Sequence, residues 1–419
     1  MIAGIEAVRG AKRAWRLALC AVLCLPALSC GGGGGSSSLS GTTTTTTTTS
    51  SSNVATVVVD AGPAAVPSPD VNTLFTSITV CVPGSTTNCQ TIDHIQIDTA
   101  SYGLRILASA LTLSLPVQQA ENGNSLVECT AFVDGYSWGP VALADLQIAG
   151  ETAASLPVQV IGSPNFTVVP ANCSGMGPQE DTVAQFRANG ILGIGVFDQD
   201  CGAGCVADAD NEVYYACTST ACAATAVALA SQVANPITFF ATDNNGVIIQ
   251  LPSVAAAGAA TVTGSMIFGI DTQSNNKSGS QTILTVDDQG YFTTLFNGQS
   301  YAQGFLDTGS NGLFFADSSI QVCTDSNFSD FYCPASTQSL TATLQGQNAA
   351  SASAAFTIAD AETLGADNAT LVAFSNLGGP FPGAASNFDW GLPFYYGRTV
   401  YTAFEDATTS AGTGPYLAY

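Results

Sequence analysis

IDTASYGL (residues 97–104) and LDTGSNGL (residues 306–313) each begin with an aliphatic residue and then agree at five of seven positions. Their aspartates, Asp98 and Asp307, stand 209 residues apart, and each motif follows a strand-like run and precedes an apolar segment. A second echo accompanies the first. Ile191-Leu192-Gly193 ends 95 residues after Asp98, and Trp390-Gly391 ends 84 residues after Asp307. Self-similarity on this scale describes a chain built from two versions of one unit, each supplying an acidic loop. Two carboxylates held within hydrogen-bonding distance of one water cannot both ionise cheaply, so one keeps its proton. The ionised partner can then take a proton from the water while the protonated one polarises a carbonyl. Such a pair titrates as a unit.

This double pattern resembles the pepsin-like aspartic proteases, in which each lobe supplies Asp-Thr/Ser-Gly-Ser/Thr on a loop. A later aliphatic-aliphatic-glycine strand threads that loop. The resemblance implies a mainly β, bilobal, pepsin-like double β-barrel or sandwich with a few short helices. It implies an N-terminal lobe over residues 54–235, a C-terminal lobe over 236–419 and a cleft between them. By the same likeness Asp98 and Asp307 are the catalytic pair, and Thr99 and Thr308 brace the loops across the interface. Ser101 and Ser310 hydrogen-bond the outer carboxylate oxygens, and Gly193 and Gly391 support the loops. AFVDGYSWGPVALADLQIAG (131–150) falls where a flap hairpin belongs, with Tyr136 as the flap residue and Trp138 as its rival. NPITFF (235–240) and MIFGID (266–271) resemble the crossing into the second lobe, and YYGRTVYTAFED (395–406) the final strands. Two positions depart from the pattern. Ala100 stands where the second copy has Gly309, so an added methyl and a narrower φ range are expected to displace Asp98 slightly. Asn189 replaces the aspartate common before Gly190. The whole layout, from leader to the closing GPYLAY, also resembles an uncharacterised family of bacterial lipoproteins.

The body is strand-rich. VATVVV (54–59), FTSITVCV (75–82), TIDHIQI (91–97) and YFTTLF (291–296) are dense in β-branched and aromatic residues and broken by Gly, Pro, Asn and Asp. Helical spacing shows only in ATAVALASQVA (224–234), and DNNG (243–246) reads as a hairpin turn. His94, four residues before Asp98, falls on the same strand face by alternation, and a structural, hydrogen-bonded role is expected for it. GILGIG (190–195) lacks the lysine and helix opening of a phosphate loop and reads as strand packing.

Residues 1–30 have the grammar of an export signal: four basic residues, then an apolar run too short to span a bilayer. They end in Leu28-Ser29-Cys30, which resembles a lipobox, so Cys30 is the expected lipidation site, with ordinary signal cleavage as the alternative. Residues 31–53, rich in Gly, Ser and Thr, read as a flexible tether. Beyond the leader ten cysteines remain, an even number that in an exported chain reads as disulfides. Proximity pairs them as Cys81–Cys89, Cys201–Cys205, Cys217–Cys222 and Cys323–Cys333, leaving Cys129–Cys173. The formal charge of -23 argues against a phosphate-backbone partner, so no nucleic acid is expected. One histidine in 419 residues leaves little for a metal centre, and neither metal nor cofactor is expected. The expected function is an aspartic endopeptidase acting on extended peptides or unfolded protein at acidic pH. The alternative is a non-catalytic peptide- or protein-binding lipoprotein on the same scaffold. The protein is expected to be a monomer, exported and lipid-anchored to a bacterial outer membrane, on its periplasmic or cell-surface face.

Overall fold

A computed structural model describes residues 53–367, 370–381 and 383–419; the expected export signal, Cys30 and most of the tether lie outside them. The N-terminal half carries β1 (Val54–Val59), β2 (Leu74–Cys81), β3 (Cys89–Asp98), β4 (Tyr102–Leu107) and β5 (Ser125–Phe132). It continues with β6 (Gly135–Ile148), β7 (Glu151–Ile161), β8 (Gly190–Ile194), β9 (Tyr214–Cys217) and β10 (Cys222–Ala224). The rest of the chain adds β11 (Gly246–Gln250), β12 (Val262–Phe268), β13 (Leu284–Thr285), β14 (Phe292–Phe296) and β15 (Gln299–Asp307). After these come β16 (Leu313–Phe315), β17 (Gln338–Gln345), β18 (Ser351–Ile358), β19 (Gly378–Gly379) and β20 (Asn387–Gly391). The last are β21 (Thr399–Ala403), β22 (Thr408–Thr409), β23 (Gly412–Thr413) and β24 (Tyr416–Ala418). Helices are short; the longest described is Ala361–Asp367. The protein is mainly β.

Pairing closes part of the N-terminal half into a barrel. Strands β6, β7, β4, β8, β3 and β2 are neighbours in that order, and β2 also pairs with β6. Closure removes the free edges that a strand-rich chain otherwise exposes. The second half contains a separate 7-stranded sheet in the order β18-β17-β14-β15-β20-β16-β19, open at both ends. Strand β1 stitches the halves together: it pairs with β12 from Val54↔Ile267 to Val59↔Val262, and with β2 on its other side. One apolar core runs through both halves, uniting Ile97 and Leu192 with Leu306 and Trp390.

All five cysteine pairs expected from proximity are disulfides: Cys81–Cys89, Cys129–Cys173, Cys201–Cys205, Cys217–Cys222 and Cys323–Cys333. Five disulfides mark an exported, non-cytoplasmic protein. Among the described residues no helix is long and apolar enough to cross a membrane.

Three local expectations are corrected. Residues 224–234 form no α-helix: Ala224 is held in the β9–β10 hairpin opposite Tyr215, and only Leu229–Ser231 makes a 3-10 turn. DNNG does not close a hairpin; it leads into β11, whose partners are β12 and β21. His94 adopts a positive φ of 47° at a bulge, where Thr76↔Ile95 gives way to Ile78↔Ile92. The extra residue breaks the alternation that would have aligned His94 with Asp98. Its ring packs edge-on against Phe75 and lies 3.4 Å from Asp60.

Candidate active site

The same small motif occurs in each half. In the first, β3 runs parallel to β8, with Asp98 opposite Gly193, while β8 runs antiparallel to β4, with Gly193 opposite Gly103. In the second, β15 runs parallel to β20, with Asp307 opposite Gly391, while β20 runs antiparallel to β16. Each aspartate therefore ends a strand whose neighbour threads under the following loop. The threading residue has to be glycine because backbones meet there. A Cβ on Gly193 would lie 2.6 Å from Tyr102 N, and one on Gly391 would lie 2.1 Å from Gly312 O.

The two loops meet through a reciprocal exchange between threonines. Thr99 N–H donates to Thr308 Oγ1 at 3.2 Å and Thr308 N–H donates to Thr99 Oγ1 at 3.0 Å. Each hydroxyl then reaches across to the other strand: Thr308 Oγ1 donates to Ile97 O at 2.8 Å and Thr99 Oγ1 to Leu306 O at 3.0 Å. Since the Thr99 proton is committed to Leu306, the buried Tyr395 hydroxyl, 3.0 Å away, is the donor to Thr99 Oγ1. Four bonds among buried groups, away from competing water, fix the loops' separation firmly.

This exchange brings the carboxyls of Asp98 and Asp307 together on the lining of one cleft, on either side of Gly309. Asp98 Oδ1 accepts from Ala100 N–H at 2.7 Å and Ser101 N–H at 3.2 Å. Asp307 Oδ1 accepts from Gly309 N–H at 2.6 Å, and its Oδ2 from Ser310 Oγ at 2.7 Å. Burial, and next the negative charge of Asp98, push Asp307 up to about 8. Ser310 thus makes the bond expected of it, whereas Ser101 does not. Ser101 contributes its backbone N–H, and its buried Oγ has no hydrogen-bond partner among the described residues. The two loops differ in their donors: Asp98 Oδ1 takes two backbone amides, whereas Asp307 takes one amide on Oδ1 and the serine hydroxyl on Oδ2.

An open cleft lies over the pair. Phe186, Ile191 and Phe314 give it apolar walls, and the tip of the β5–β6 hairpin, Phe132, Val133 and Asp134, borders it. Tyr136 is not a cleft residue. The hairpin closes tightly, with Phe132 opposite Gly135, so Tyr136 already lies past the tip and faces the other side. Its ring packs with Trp138 and Cys173, and its hydroxyl donates to Gln179 Oε1 at 3.1 Å. Trp138 is buried in the same cluster, its indole N–H on Phe166 O.

Three residues absent from the sequence-level site belong here. Gln96 lines the cleft and donates to Gly309 O at 3.1 Å, tying the first half to the second acidic loop. Tyr395 braces Thr99. Asp389, 1% exposed, lies near Asp307. An acidic residue inside the apolar run NFDWGL was the legible signal for the last; Gln96 and Tyr395 carried none.

The fold and site define a mainly β protein whose two halves repeat one strand-threaded loop and present a pair of aspartates at their junction. The chain belongs to the family described as Protein of unknown function (DUF3443), whose model matches residues 49–419. No curated protein matches it.

Proposed function

We propose that this protein is a pepsin-like aspartic endopeptidase acting on extended peptides or unfolded protein segments. The observation that carries the reading is the reciprocal threonine exchange that presses two loop aspartates together beneath an open cleft. The pair shares one proton. Held on Asp307, it polarises the scissile carbonyl, while the Asp98 carboxylate takes a proton from the attacking water. No cofactor or metal enters this chemistry. We also infer that Cys30 carries a lipid tethering the protein to a bacterial outer membrane; Cys30→Ser should move it from the membrane to the soluble fraction on cell fractionation.

The peptidase reading is tested by incubating purified protein with an unfolded substrate across a pH series. Cleavage is expected at acidic pH and should fade as pH passes about 8, because the proton that burial and Asp98 hold on Asp307 is then lost. Asp307→Asn should lower the rate by at least about 100-fold. Equal cleavage by both proteins would remove this mechanism, and cleavage by neither would favour a peptide-binding role on the same scaffold.

A further inference from the structure

Gln96 reaches the cleft because it lies two residues before Asp98 on β3, and alternation turns both to one face. The corresponding place in the second half is the aromatic Phe305, which packs edge-on against Phe381 and does not line the cleft. Only the first half sets an amide there. Gln96 is 5% exposed, and the bond from its Nε2 to Gly309 O is its one side-chain hydrogen bond among the described residues. A backbone carbonyl can only accept, so this bond fixes which end of the amide faces Gly309. Oε1 is left as an acceptor without a donor, on a side chain that lines both the cleft and the adjoining hollow beside Arg187.

Two more carboxyls line the same cleft, Asp134 at the tip of the β5–β6 hairpin and Glu180, which is 7% exposed. Backbone pairing holds them side by side. Tyr136 N–H donates to Pro178 O at 3.0 Å, and Glu180 N–H donates to Tyr136 O at 2.9 Å. A Cβ on Gly135 would lie 2.8 Å from Glu180 Cγ, so the glutamate side chain lies against the residue that follows Asp134. No lysine or arginine lines the cleft, and Arg187 in the adjoining hollow has its charge matched by Asp70. With the ionised member of the dyad, the charged lining is of one sign, and low-dielectric walls focus its field on whatever enters. We infer that the cleft selects a cationic side chain, a lysine or arginine of the peptide it holds. The alkyl stem lies along Phe186 and Ile191, while the charged head donates to Gln96 Oε1 and faces Asp134 and Glu180. Gln96 then sets specificity as well as tying the halves together. The consequence for cleavage rests on the peptidase reading; the preference in binding does not.

The test moves a single lysine through an otherwise uncharged peptide and compares it, position by position, with the neutral analogue norleucine. At low ionic strength kcat/KM should be about tenfold or more higher for lysine at one position. That ratio should shrink as salt is added, because charges in an open cleft are screened. Asp134→Asn, Glu180→Gln and Gln96→Leu should each lower it about threefold or more. Since the ratio compares two peptides on one protein, a general loss of activity in a variant cancels. Equal kcat/KM for the two peptides at every position, or a ratio that none of the three substitutions moves, would overturn the proposal. A second readout needs no chemistry. Fluorescence polarisation of labelled peptides on Asp307→Asn, whose amide stands in for the protonated acid, should show the same preference for lysine in Kd. If wild-type protein cleaves neither peptide, the peptidase reading fails alone; equal affinity for both peptides would then remove the cationic preference too.

Discussion

Gly309 and Ala100 hold the same place in the two acidic loops, yet a methyl group means different things there. Ala100 is exposed and is not among the residues with positive φ, so its Cβ projects outward and its N–H still reaches Asp98 at 2.7 Å. The displacement of Asp98 expected from losing a glycine has no steric origin at Ala100. At Gly309 the reverse holds. A Cβ would lie 2.9 Å from both Asp307 Oδ1 and Asp98 Cγ, inside the space between the carboxyls. Gly309→Ala should therefore cut the rate of peptide cleavage by about tenfold or more, because dyad chemistry tolerates little displacement. Ala100→Gly should leave it within about twofold. Steady-state kinetics on both variants check the pair; the opposite ranking would mean that the first loop, and not the second, controls the carboxyl separation.

Among the elements, those that pack against their immediate neighbours were the most legible. VATVVV is β1 residue for residue, and the alternation in its burial follows its pairing with β12 and β2. The two aspartate loops could be read because the chain repeats them, and four of the five disulfides because short spacings match hairpins and turns, which left Cys129–Cys173 as the remaining pair. What escaped prediction depends on tertiary context. The alanine-rich segment near 224–234 has helical spacing, but the Cys217–Cys222 hairpin captures its first residue and leaves it only one turn. The bulge at His94 has no local signature, and Tyr136 was misplaced because hairpin tip length, not composition, decides which face a residue takes. The disulfides themselves differ in leverage. Cys129–Cys173 spans 44 residues and ties the cleft-bordering hairpin to the helix Ala171–Ser174, whereas Cys201–Cys205 spans 4. Loop-closure entropy assigns about 4 kcal/mol to the longer and about 2 kcal/mol to the shorter. Denaturant melts of the two double-serine variants should show the longer bridge to be the costlier loss, and reversal of that order would show that local strain outweighs chain entropy.

Across the whole molecule the two halves share a motif but differ in how they are held. Four of the five disulfides lie in the first half, around the closed barrel. The second half has one disulfide and relies on stacked rings: Phe315 on Phe388 at 4.6 Å and Phe388 on Trp390 at 4.4 Å. Strand β1 and the threonine exchange couple these differently built halves, so their relative position is what sets the aspartate pair. Each half also buries one indole. Trp138 lies beside Tyr215 next to the Cys129–Cys173 bridge, and Trp390 sits on the strand that threads the second acidic loop. The molecule thus carries an intrinsic fluorophore in each of its two parts. With Trp15 in the expected export signal, replacing one buried indole with phenylalanine leaves emission from the other in the cleaved chain, and the order in which the barrel and the 7-stranded sheet come apart can be followed without attaching a dye.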